Sequence, residues 1–207
     1  MKSASPAGRG RRPGNPHTKD DICDAARRQF LTQGYQETTL RAIAAEAGVD
    51  PALINYYFGS KQGLFGAAMA LTVNPPEMLH RAIAGDLATL PERLVATLVT
   101  AWDDPTEGEP LRVLVAAAAH EPAVARLVRE VIETEMTRQL TERLGGRDAS
   151  ARAAAFGAQL AGLILSRYWL RVEPLASMPI HELIRYTAPG LHAAIRGPRD
   201  RATSPPR

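Results

Sequence analysis

The amino-acid sequence predicts an all-α protein: an N-terminal three-helix helix-turn-helix domain followed by a larger C-terminal helical domain. Two short apolar periodic segments meet at a glycine turn within residues 39–66, which is the pattern of a helix-turn-helix. Alanine is abundant and aromatic residues make up only 5% of the chain, which favours helices over sheets. A chain of 207 residues suits one small and one larger domain.

Composition divides the chain into four segments. Residues 1–16 are rich in Pro, Gly and Arg, and we expect a disordered basic arm. Residues 17–76 form the predicted helix-turn-helix domain, which ends near a Pro-Pro pair. We expect the larger helical domain over residues 77–197 and a disordered tail over residues 198–207.

The first helix is predicted over Lys19–Gln33. Thr18, followed three residues later by Asp21, predicts a capping box at its start, and Gly34 ends it. Residues four apart give it one apolar stripe, formed by Ile22, Ala26 and Phe30.

The second helix and its turn carry clear local signals. One helical face is apolar, with Leu40, Ile43, Ala44 and Ala47 at the spacing of a buried stripe. Thr38 or Thr39 is placed to cap the N-terminus, and Gly48 ends the helix. Val49 is the one apolar residue in the turn, and we expect it to fill the angle between the helices.

The third helix is predicted to begin after Asp50, which caps it, with Pro51 in its first position. Its inward face carries Ile54 and Phe58. Its outward face carries Ala52, Asn55 and Tyr56, flanked by Pro51 and Leu53, with Tyr57 at the edge. Asparagine and tyrosine without an acidic residue suit hydrogen bonds to base edges and phosphates in a major groove. A three-helix packing unit with exposed tyrosines is the alternative.

A fourth helix begins directly afterwards, with Ser60 as its cap and Lys61 in its first turn, where an ammonium and free amides could hold a phosphate. The run TTLRAIAAEAGVDPALINYYFGSKQGLF resembles the DNA-binding domain of the tetracycline-repressor (TetR) family. The resemblance extends over roughly residues 17–70. It implies an all-helical homodimer that binds double-stranded operator DNA and, in its C-terminal domain, a small effector.

The resemblance also implies roles for individual residues. Thr39 and Arg41 would meet phosphate or the edge of the groove, and Lys61 would hold the DNA backbone. The recognition surface would comprise Pro51, Ala52, Leu53, Asn55, Tyr56 and Tyr57. Asn55 stands where many relatives carry an aromatic residue or histidine, so the preferred bases do not follow from the family.

Charge is distributed in a way that favours DNA binding by the N-terminal part. Residues 1–66 hold nine Lys/Arg and six Asp/Glu, whereas residues 67–195 hold twelve and fifteen. In the basic arm, Arg9, Arg11 and Arg12 lie beside glycines, and flexible arginines of this kind can enter a minor groove. A solvated tail that adds only non-specific attraction is the alternative.

Six helices are predicted in the C-terminal domain: Glu77–Gly85, Glu92–Trp102, Leu111–His120, Ala123–Leu144, Ala149–Arg171 and Ile180–Ile195. The breaks between them are assigned to Pro91, to Asp104 through Pro110, to Glu121-Pro122, to Gly145-Gly146 and to Pro174 through Pro179. The helix from Ala149 is apolar on nearly all sides, so we expect it to be buried. The last two long helices are the predicted homodimer seam, and the central core helix of a monomer is the alternative.

An effector pocket is predicted between these helices, lined by the large side chains of Trp102, Met136, Phe156 and Tyr168. These groups favour an apolar or aromatic ligand, and an ordinary core or dimer seam built from the same side chains is the alternative. Arg129, Glu130 and Glu133 are interpreted as a solvated face.

The sequence gives no sign of a metalloprotein, an enzyme or a membrane protein. The five histidines show no metal-ligand spacing, no phosphate loop or nucleophile elbow is present, and we expect no metal, no cofactor and no enzyme activity. No apolar run reaches the length of a membrane span, and the single Cys23 fits a reducing cytoplasm. The sequence therefore predicts a cytoplasmic, ligand-responsive transcriptional repressor. An effector-independent regulator or an activator on the same scaffold is the alternative.

Overall fold

The computed structural model describes residues 17–198, and this part of the chain is helical without a strand. It contains eleven α-helices: α1 Thr18–Gln33, α2 Leu40–Ala47, α3 Pro51–Phe58, α4 Lys61–Ala68, α5 Pro75–Ile83, α6 Leu90–Asp103, α7 Pro105–His120, α8 Pro122–Val131, α9 Arg138–Leu144, α10 Ala149–Ile164 and α11 Ile180–Arg196. A 3-10 turn precedes α6, a π-helical segment (Ile132–Thr137) joins α8 to α9, and a second (Leu165–Trp169) extends α10. The all-α fold class is confirmed.

The N-terminal core forms where α1 packs against α2 and α4. Its centre is aromatic, with the Phe30 ring 5.5 Å from Tyr35 and 5.8 Å from Phe65 between centroids. Every residue of the stripe predicted for α1 is fully buried. Ile43 of α2 and Ile54 of α3 are also fully buried, so the apolar periodicity fixed which faces turn inward.

Three of the predicted helix caps are present. The side-chain oxygens of Thr39, Asp50 and Ser60 accept hydrogen bonds from the first-turn amides of α2, α3 and α4, at 3.1, 2.8 and 3.0 Å. Thr18 is not the N-cap that was predicted, because α1 begins at Thr18 itself and His17 takes the N-cap position.

Prolines begin helices in the C-terminal domain where breaks were predicted. Pro75, Pro91 and Pro105 lie in the first turns of α5, α6 and α7, where a missing amide costs nothing. The break predicted from Asp104 through Pro110 shrinks to one residue, because Asp104 accepts hydrogen bonds from the amides of Thr106 and Glu107, both at 2.8 Å. Pro110 lies inside α7.

Within the single chain, only one side of the helix that begins at Ala149 is buried. One side of α10 packs inward through Ala153, Phe156, Leu160 and Leu163. The opposite side stays exposed and consists mainly of small residues: Ala151, Ala154, Ala155, Ala158 and Gly162. Between residues 17 and 198 no helix is long and apolar enough to cross a membrane.

Candidate DNA interface and effector cavity

The third helix presents the face that its sequence predicts. Ile54 is fully buried, whereas Tyr56 on the opposite side is 80% exposed. Pro51, Ala52 and Asn55 are also exposed. Leu53 and Tyr57 are half-buried at the edges of this face. We call the exposed side of α3, with these two edge residues, the recognition face.

Lys19 adds a cation at the edge of the recognition face, which sequence reasoning did not identify. Its ammonium lies over the Tyr57 ring, 5.2 Å from the centroid, and the Tyr56 and Tyr57 rings meet edge to face at 5.2 Å. Lys19 and Tyr57 are distant in sequence, and the tertiary fold brings them together. A cation held next to an exposed tyrosine suits contact with a phosphate.

Two residues predicted to contact DNA lie at the start of α2 and are accessible to solvent. Thr39 and Arg41 are both exposed, and the Thr39 hydroxyl also serves as the cap of α2. Arg9, Arg11 and Arg12 lie outside residues 17–198, so their predicted contact with a minor groove stays a prediction.

Lys61 is less available than its sequence position indicates. Its ammonium lies 4.5 Å from the centroid of the Tyr35 ring and donates to the carbonyl of Gln36 at 3.3 Å. Burial lowers the pKa of Lys61, and three carboxylates oppose that shift: Glu135, Glu130 and Glu37. In this structure the Lys61 ammonium is therefore engaged in contacts within the chain, with Tyr35 and Gln36, rather than free to bind a phosphate.

An apolar cavity of about 190 Å³ lies inside the C-terminal helices. Trp102, Met136 and Phe156 line it, as the sequence predicts. Its wall also includes Met78 and side chains from α4 to α10. The Thr137 hydroxyl and the Trp102 indole N–H are the only polar side-chain groups among the lining residues, and none of the lining residues is ionisable.

The structure places Tyr168 outside the wall of this cavity, contrary to expectation. Its ring packs against Trp102 with centroids 5.0 Å apart, and its hydroxyl donates to the carbonyl of Val99 at 3.4 Å. Burial raises the pKa of Tyr168, and the neighbouring Asp103 carboxylate adds to the rise. Tyr168 is thus a neutral packing residue behind the cavity wall.

A polar junction joins the N-terminal helices to the C-terminal helices. The Glu130 carboxylate accepts hydrogen bonds from the amides of Tyr35 at 2.6 Å and Gln36 at 3.2 Å. The Arg126 guanidinium donates to the carbonyls of Leu31 and Thr32 at 3.2 and 3.0 Å. Glu135 accepts a hydrogen bond from the Gln62 side chain. We call the contacts of Arg126, Glu130 and Glu135 the domain junction.

The domain junction corrects the interpretation of Glu130 as part of a solvated face. Glu130 is only partly exposed, and its partners lie more than ninety residues away in the sequence, so no local pattern could have shown them. Within residues 17–198 no cluster of three or more side chains could hold a metal ion.

Comparison with known proteins agrees with these features. Residues 22–68 match the family model for bacterial regulatory proteins of the tetR family, and residues 88–195 match the tetracyclin repressor-like C-terminal domain. The regulator BetI of Burkholderia thailandensis is 30% identical over 161 residues, covering 72% of this chain and 78% of that protein. BetI of Burkholderia pseudomallei K96243 is 31% identical over 170 residues, covering 77% and 83%.

Among solved structures, a TetR-family regulator from Streptomyces coelicolor is 33% identical, with a TM-score of 0.47, and covers 91% of this chain and 99% of that one. The two family models together span most of the chain, and they match the helix-turn-helix and the C-terminal helices separately. The chain therefore belongs to the TetR family of transcriptional regulators, which are DNA-binding proteins and not enzymes.

Proposed function

We propose that the protein represses transcription by binding operator DNA as a homodimer, and that a small apolar effector releases it. One observation carries the proposal: α3 holds an exposed, acid-free face of Asn55 and tyrosines against a fully buried Ile54. A rigid helix with such a face fits a major groove, where side chains form hydrogen bonds with base edges. From the proposed DNA-binding role we infer that the protein acts in the cytoplasm.

Within this proposal the recognition face reads bases and its surroundings hold phosphates. Asn55 and Tyr56 supply hydrogen bonds, and Pro51, Ala52 and Leu53 supply apolar contact with thymine methyl groups. Thr39, Arg41 and Lys19 surround the face and are placed for backbone contacts. Lys61 would have to leave Tyr35 and Gln36 before it could bind a phosphate.

The homodimer is supported by the uncovered side of α10. A contiguous stripe of alanines and glycine remains exposed there, and Tyr186 on α11 is 62% exposed. Small residues allow two helices to approach closely, and a second copy would cover this apolar surface. Two subunits also read two half-sites, because one short helix contacts too few bases for specificity.

Ala158→Arg tests the dimer, with Ala119→Arg on the exposed side of α7 as the matched control. A charge in the proposed seam would be buried without a partner, so we expect monomers by light scattering only for Ala158→Arg. An Ala158→Arg protein that remains dimeric would remove α10 from the interface.

The effector proposal rests on the cavity. Its wall offers two weakly polar groups and no charge, so a charged ligand would lose its hydration without compensation. For scale, an apolar cavity of roughly 150 Å³ holds a benzene molecule. The class of ligand that fits is therefore an uncharged compact hydrophobe, such as a one- or two-ring aromatic molecule.

Operator binding is tested by sequencing genomic DNA fragments that the purified protein retains, followed by affinity measurements at several salt concentrations. Phosphate contacts require the affinity to fall steeply as salt rises. Salt-independent binding, or no enrichment of any sequence, would contradict the proposal.

The effector is tested with a matched pair of probes, 2-naphthol and the anion 2-naphthoate. We expect 2-naphthol alone to raise the melting temperature and to weaken operator binding, because both binding and release depend on the uncharged cavity. Stabilisation without release would favour an effector-independent regulator, and a tighter complex would favour an activator.

A further inference from the structure

We infer that Glu130 is the positioning residue by which the C-terminal domain orients the helix-turn-helix on DNA. The inference rests on the proposed function, since it concerns the link between the cavity and the recognition face. Glu130 is the penultimate residue of α8, which leads directly into the π-helical segment Ile132–Thr137.

The Glu130 carboxylate holds the backbone of the turn between α1 and α2. It accepts from the Tyr35 amide at 2.6 Å and from the Gln36 amide at 3.2 Å. Hydrogen bonds to an ionised acceptor are shorter and stronger than neutral ones. Because both donors are main-chain groups, the carboxylate fixes the backbone of this turn, from which α2 and α3 continue.

The turn is shaped to receive this carboxylate. Gly34 has φ 92°, and a Cβ at this position would lie 2.7 Å from Glu130 Oε2. One helical turn earlier on α8, Arg126 donates to the carbonyls of Leu31 and Thr32 in the last turn of α1. α8 thus offers a cation to the negative end of α1 and an anion to the amides just beyond it.

The same segment reaches the cavity. Within Ile132–Thr137, the side chains of Ile132, Met136 and Thr137 line the cavity, while Glu135 accepts a hydrogen bond from Gln62 of α4. The π-helical segment therefore has one face on the cavity and one on the N-terminal domain. Since interiors are close-packed, a ligand that displaces Met136 would press on the segment that carries Glu135 and continues directly from the last turn of α8, which carries Glu130.

The test compares Glu130→Ala and Glu130→Gln with Glu133→Ala, an exposed glutamate three residues further along the chain that lies outside the domain junction. Three quantities are measured in the full-length protein: operator affinity for the fragment selected by the wild type, amide exchange over residues 31–39, and the melting temperature. Operator affinity is repeated with 2-naphthol present.

For Glu130→Ala we expect roughly tenfold weaker operator binding, within the usual range of coupling between sites. Exchange at Tyr35 and Gln36 should become faster, and 2-naphthol should lose most of its effect on operator affinity. Glu130→Gln should recover part of each property, because its amide oxygen still accepts hydrogen bonds. Glu133→Ala should match the wild type.

Wild-type affinity in a folded Glu130→Ala protein overturns the inference, whatever 2-naphthol does. If Glu130→Ala is unfolded at the assay temperature, Glu130→Gln decides by the same criterion. Failure of the proposed function has a different signature, because it appears in the wild type as an absence of operator binding or of release. In that event, unchanged exchange at Tyr35 and Gln36 in the variants still overturns the inference.

Discussion

Tyr56→Ala and Ile54→Ala should separate DNA binding from stability, although the two residues are two positions apart. The Tyr56 side chain is 80% exposed, so its loss should change the free energy of unfolding by no more than about 0.5 kcal/mol. Ile54 is fully buried, and truncation to alanine should cost about 2–5 kcal/mol through lost burial and the cavity left behind.

Operator affinity should fall for Tyr56→Ala and stay unchanged for Ile54→Ala, which is the reverse of their effects on stability. A lost base or phosphate contact costs about 1–3 kcal/mol, which weakens binding roughly 5–150-fold. Tyr56→Ala should show this loss while keeping the wild-type melting curve. Ile54→Ala should bind normally at temperatures where it remains folded, because its side chain points away from the DNA.

The assay is fluorescence anisotropy with a labelled operator at one fixed salt concentration, paired with thermal unfolding followed by circular dichroism. Tyr56→Phe serves as the control that removes only the hydroxyl and keeps the ring against Tyr57. Wild-type affinity in a folded Tyr56→Ala protein would refute the reasoning, because a side chain that is 80% exposed on the recognition face would then be irrelevant to binding.

Three further outcomes are expected. Asp50→Ala should lower stability by about 0.5–2 kcal/mol through loss of the α3 cap, whereas Asp50→Asn should keep the cap; equal destabilisation by both in urea unfolding would contradict this. Deleting residues 1–16 should make the slope of log affinity against log salt concentration shallower by about 0.9 for each arginine that contacts phosphate. An unchanged slope would show that the arm does not contact the DNA. The hydrogen bond from Gln29, and after it the one from Arg28, lowers the pKa of Glu46 in the folded protein. The Glu46 carboxylate therefore stabilises the fold above its unfolded pKa of about 4.5. This contribution is lost as the pH falls through the lower pKa of the folded state. The free energy of unfolding, measured in urea between pH 7 and 3, should therefore fall less steeply with decreasing pH for Glu46→Gln than for the wild type.

Features that depend on neighbouring residues were predictable from the sequence. The caps at Thr39, Asp50 and Ser60 involve amides two or three residues away, and the buried faces of α1 to α3 follow from the 3.6-residue period. The recognition face follows from the same period, because a helix wheel places Asn55 and Tyr56 opposite Ile54. Helix boundaries near prolines were less predictable, because proline occurs both in breaks between helices and in the first turn of a helix.

By itself, the sequence determined the helical fold, the helix-turn-helix and the face that α3 turns outward, because each depends on contacts within one or two helical turns. The tertiary structure alone decided which large side chains enclose the cavity, that Tyr168 stands behind its wall, that Lys61 is engaged with Tyr35, and that Glu130 holds a turn ninety-five residues away. These features require segments distant along the chain to pack together, and local periodicity carries no information about such partners.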